Sequence, residues 1–114
     1  MLASEADRRC QALIDGLEEM AAKSRKDSAR LEELRGEAHG LKGAALVVGQ
    51  ERLAELSRMI ELFLKDRVES GRITPTDAAK AIAAASALRE GAEAAAEGVG
   101  EPSAVGESLE ALAD

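Results

Sequence analysis

Apolar residues recur at intervals of three and four along almost the whole chain, and nowhere do they alternate with polar residues over the length of a strand. That period belongs to helices that bury one stripe, so the chain is constrained to an all-α fold. Four stretches carry it. The first runs from about Ser4 to Ala22, with Ala6, Cys10, Leu13, Leu17 and Met20 on its stripe and Ser4 as its cap. The second runs from about Ala29 to Val48, capped by Asp27 or Ser28 and stopped by Gly49; its stripe is Leu31, Leu34, Ala38, Leu41, Ala45 and Val48. The third, from about Gln50 to Glu69, offers Leu53, Leu56, Ile60, Phe63 and Leu64, and Gly71 terminates it. Thr74-Pro75 opens the fourth, with threonine as cap, proline at the first helical position and Asp77 where an acid suits the dipole. That helix is alanine-rich, which permits close approach to its neighbours, and it ends near Gly98.

Short connections make consecutive helices antiparallel neighbours, so residues 1–98 are expected to form an antiparallel up-down four-helix bundle. Residues 99–114 read as an acidic tail. Gly98 to Ser103 is a linker, and Val105, Leu109 and Leu112 mark a short amphipathic segment, either frayed or packed across one end of the bundle. Phe63 is the sole aromatic residue, so the core is aliphatic and large cofactors or bases lack stacking platforms. A formal net charge of −7 argues against nucleic acid, whose phosphates need clustered cations. No apolar run suits a signal peptide or a membrane span, so a cytoplasmic monomer is expected. Cys10 has no partner for an internal disulfide and reads as a core thiol.

One helix violates its own propensity. Gly36, Gly40 and Gly43 lie inside the second stretch, and three interior glycines cost about 3 kcal/mol relative to alanine. Their spacing puts them on one stripe, nearly opposite the apolar one, and so facing outward. The only histidine, His39, projects between the two stripes, a titratable nucleophile on a surface stripped of side chains. Lys42, one turn on, would offer its ammonium to a phosphoryl or carboxylate group near the imidazole, and Arg35, one turn back, has similar reach. Leu46 falls in line with His39, and with Val47 it leaves apolar surface near the site for a partner protein, the helix end or the tail to cover. There is no glycine-rich nucleotide loop, metal-ligand cluster or Ser-His-Asp order, so no enzyme active site and no cofactor of its own are expected.

The run from Ala38 through His39-Gly40-Leu41-Lys42-Gly43 to Gly49, followed by Leu53, Ser57 and Met59-Ile60-Glu61, closely resembles the signature of histidine-containing phosphotransfer (HPt) domains of phosphorelays. The resemblance implies that His39 accepts a phosphoryl group and exchanges it with the aspartate of a response-regulator receiver domain. A sensor histidine kinase is a further implied partner, and magnesium is expected in the receiver. By the same resemblance Lys42 helps neutralise the phosphoryl oxygens, Gly43 leaves room beside the ring, and Glu61 matches a position whose side chain hydrogen-bonds the imidazole. Lys65 matches a position that is basic in some members, and Gly40 departs from the pattern, a larger or polar residue being common there. Two other readings remain open at this point: a helical adaptor or dimerisation module that is never phosphorylated, and the phosphoacceptor segment of a larger histidine kinase.

Overall fold

The computed structural model describes residues 2–23 and 25–113. Met1, Asp114 and Ser24, the last in the polar stretch between the first two expected helices, lie outside the described residues. The described residues form five helices and no strand: α1 Leu2–Ala22, α2 Ser28–Val47, α3 Glu51–Val68, α4 Pro75–Glu97 and α5 Ser103–Ala113.

The helix ends follow from local chemistry. Asp27 caps α2, its carboxylate accepting the Arg30 backbone N–H at 3.1 Å. Thr74 caps α4 through its hydroxyl oxygen, which accepts from Asp77 N–H at 3.0 Å, and Pro75 takes the first helical position. Gly49, Gly71 and Gly98 have φ near +74°, +74° and +72°, a left-handed turn that glycine enters without the strain a Cβ brings. At the α2–α3 turn, Gly49 N–H donates to Leu46 O and Gln50 N–H to Ala45 O, which leaves only residues 48–50 between the helices.

Each of α1 to α4 packs against two of the others, α1 on α2 and α4, α3 on α2 and α4, and α5 lies across α3 and α4. The core between them is aliphatic, built on Leu13, Leu17, Leu31, Leu34, Leu41, Leu56, Ile60 and Leu64, all essentially without solvent contact. Complete burial of each such side chain is worth about 1.5–3 kcal/mol. Cys10 is buried among them, and desolvation pushes its thiol up to about 12, well out of reach of thiolate chemistry.

Three expectations are corrected, and one left open is decided. Ser4 is no cap, because α1 already runs from Leu2. Val48 is not core: α2 stops at Val47, and the glycine turn leaves Val48 51% exposed. Phe63 is only half-buried, its ring covered by the Arg67 guanidinium at 3.6 Å. Of the two readings of the tail, the packed one holds. The tail forms α5, whose Val105 is fully buried, and Gly91 of α4 is what admits it: a Cβ there would lie 2.6 Å from Leu53 Cδ2 and 3.1 Å from Val105 Cγ2.

Candidate functional site

His39 stands midway along α2 on its outward side, with 62% of its side chain exposed. Nδ1 lies 3.0 Å from Oε2 of Glu61, a residue of α3 twenty-two positions away in sequence. An ionised carboxylate only accepts, so Nδ1 carries a proton, and in the neutral ring Nε2 then holds the lone pair. The ring is therefore held in one tautomer with its second nitrogen free of this contact.

Glu61 is the buried member of the group, its side chain 11% exposed although it is an acid on a helix. Its burial is compensated by donors on both oxygens. Lys42 Nζ lies 3.2 Å from Oε1, and Arg35 Nη1 lies 3.0 Å from Oε2. Desolvation alone would raise the carboxyl's pKa, but the hydrogen bonds from His39 and Lys42 and the lysine charge outweigh it, and the net shift is downward. Glu61 therefore stays ionised near neutrality. Arg35, Lys42 and His39 reach it together because they sit four, three and seven residues apart on one face of α2, and the short turn lays α3 alongside.

The glycines do not behave as one stripe. Around Gly36 and Gly43 a Cβ would meet nothing within 4 Å, so the surface on both sides of His39 is open. Gly40 is not open, contrary to expectation: a Cβ there would lie 2.5 Å from Cζ and Nη1 of Arg9. Arg9 reaches across from α1, held by Glu5 Oε1 at 2.8 Å and Glu37 Oε1 at 2.8 Å, and occupies the space a side chain would take. Sequence reasoning missed Arg9. Its i,i+4 pairing with Glu5 was visible, but the crossing of α1 over Gly40 depends on tertiary packing.

Leu46 and Val47 are 57% and 86% exposed, covered by neither the helix end nor α5. With Val48 they continue the open surface from Gly43 to the end of α2. Lys65 lies one turn beyond Glu61 and is exposed; no ion pair joins it to another described residue, and its charge helps hold the Glu32 carboxyl below its ordinary value. The structure thus gathers Arg35, His39, Lys42 and Glu61 and leaves Lys65 outside. A cavity of about 680 Å³ lined by Lys23, Arg25, Arg67, Arg72 and Asp77 lies at the far end of α2 and includes none of the four. His39 belongs to a face that a second protein could cover.

The family model for the Hpt domain matches residues 1–113. The chain belongs to the Hpt domain family. No curated protein and no solved structure matches it. Hpt domains are phosphocarrier modules of two-component phosphorelays that work through phosphohistidine and interact with receiver domains and kinases. The match includes α5, so this helix falls within the Hpt domain as the family model describes it. No helix of the described residues is long and apolar enough to cross a membrane.

Proposed function

We propose that His39 is the phosphoacceptor of this Hpt domain and that it exchanges the group with the aspartate of a response-regulator receiver domain. One observation carries the reading: the single histidine is exposed, yet its Nδ1 is fixed by a buried, ionised carboxylate, which leaves Nε2 as the nucleophile. In the forward step the Nε2 lone pair attacks phosphorus of the receiver's acyl phosphate. The N–P bond forms as the aspartyl O–P bond breaks, the aspartate leaves as carboxylate, and the proton stays on Nδ1. Return transfer is the reverse.

Phosphoryl transfer is mostly positioning and charge stabilisation. Lys42 supplies a cation one turn from the ring, kept there by Glu61 Oε1, and can meet phosphoryl oxygens without crossing the site. The receiver brings the magnesium ion and the aspartate. Docking uses the open surface at Gly36 and Gly43 together with Leu46 and Val47, where a partner would bury apolar area that water now covers. The helix pairings support an antiparallel up-down bundle for α1–α4, residues 1–98, with residues 99–114 appended through α5. In that arrangement α2 and α3 form the hairpin that presents the face.

Incubation with a phosphorylated receiver domain tests this. The wild type gains acid-labile, base-stable phosphate, and His39→Gln gains none while keeping its helical circular dichroism, because the ring is outside the core. Equal labelling of the variant would place the phosphoacceptor elsewhere.

A further inference from the structure

Glu61 Oε2 has two donors of nearly equal reach, His39 Nδ1 and Arg35 Nη1, each at 3.0 Å. Arg35 is itself anchored on α2, where its Nε donates to Glu32 Oε1 at 2.9 Å and its Nη2 reaches the same oxygen. The Arg35 side chain is 28% exposed and spans from one turn of α2 to α3. An oxygen that accepts from a guanidinium has less electron density to give a second donor.

We propose that Arg35 is a positioning residue that fixes the Glu61 carboxylate and limits how strongly it draws on the His39 N–H. This rests on the reading of His39 as phosphoacceptor. When Nε2 forms the N–P bond and Nδ1 keeps its proton, the ring becomes cationic, and the carboxylate stabilises that charge. A cationic ring is also the better leaving group when the N–P bond breaks. Arg35 opposes both effects and so sets a longer lifetime for the phosphorylated carrier.

Other charges near the ring are few. From α2 they are Glu32, Arg35 and Lys42; from α3, Glu61 and the exposed Lys65 one turn beyond it; from α1, Arg9, neutralised by Glu5 and Glu37 across Gly40. Only Arg35 shares the imidazole's own acceptor oxygen.

The experiment follows the single imidazole by nuclear magnetic resonance through a pH titration. In Arg35→Met the midpoint rises by about half a unit, roughly a threefold change in the imidazolium ratio, because a neighbouring cation is lost and Glu32 is freed. In Glu32→Gln it falls, since Arg35 keeps its charge and loses its counter-ion. Arg35→Lys, which keeps the cation, returns the midpoint toward wild type. An arginine with no bearing on the ring's hydrogen bond would leave the three titrations coincident.

Phosphoramidate then supplies the phosphoryl group: its P–N bond breaks, ammonia leaves and Nε2–P forms. The phosphohistidine of Arg35→Met decays about threefold faster, in step with the imidazolium ratio. Coincident titrations for wild type, Arg35→Met and Glu32→Gln would overturn the proposal. Titrations that shift as stated in a protein that phosphoramidate never labels would keep Arg35 as the residue positioning Glu61 and refute the phosphoacceptor reading instead. Should Arg35→Met lose its helical signal, the Glu32→Gln and Arg35→Lys arms decide.

Discussion

Replacing Gly43 with leucine should make the protein more stable and less able to transfer phosphate. Gly43 is helical, its φ is not among the positive ones, and a Cβ placed on it meets nothing within 4 Å. Nothing must move, so the substitution recovers helix propensity, about 0.8 kcal/mol. For 114 residues, an unfolding entropy of about 2.1 cal/mol/K per residue gives roughly 0.24 kcal/mol/K, so Tm rises by about 3 °C. Function moves the other way because Gly43 lies one turn after His39, and a long helical side chain leans back over the preceding turn. The new isobutyl group therefore covers the approach to the imidazole. Holding the partner's phosphorus off by even 1 Å costs on the order of 100-fold in transfer rate. Thermal unfolding followed by circular dichroism reads the first effect, and the rate of phosphate transfer from a phosphorylated receiver reads the second. A lower Tm would mean that Gly43 is packed against something and that its facing is misassigned. A raised Tm with an unaltered transfer rate would mean that the partner does not dock on this surface.

Gly40→Ala should give none of that stabilisation, because the new methyl must displace the Arg9 guanidinium from Glu37 and Glu5, and losing those partly exposed pairs offsets the roughly 1 kcal/mol of propensity. In an Arg9→Ala background the same substitution should recover it, and additivity across this double-mutant cycle would disprove the contact. The folded carboxyl of Glu61 lies below its ordinary value, so its stabilising contribution is complete above the unfolded pKa and is lost as pH falls through the folded one. Urea midpoints of wild type and Glu61→Gln should therefore differ at pH 7 and converge below about pH 4; a gap that persists at pH 2–3 would show that Glu61 acts by packing alone.

The parts of this molecule legible in the sequence are those decided within a few residues. Gly49, Gly71 and Gly98 end helices through left-handed turns, and Thr74-Pro75 starts one. Leu31, Leu34, Leu41 and Ile60 are buried because the three-four spacing leaves them one direction to face. What failed to show was set by contacts between distant segments. Val105 looked like part of a weak tail until Gly91, fourteen residues earlier, proved to be the gap into which it fits. Val48 followed the stripe but fell one residue past the helix end. Glu61 came from the resemblance alone; periodicity would have made it one more acid on a solvated face, and only the three donors from α2 explain why an acid is buried there.

The glycine helix shows why fold and site separate so cleanly here. The buried side of α2 supplies five apolar residues to the core, and that burial is far larger than the propensity three glycines forfeit. The outward side therefore carries little of the apolar burial, and positions on it can be chosen for what they leave uncovered. Gly36 and Gly43 use that freedom by presenting nothing. Gly40 uses it differently, since a cation from α1 fills the gap and ties the two helices together at the level of the imidazole. Under the proposed role of His39, a helix packed below and bare above presents one nitrogen at a set height, as phosphoryl transfer between two proteins requires of the carrier.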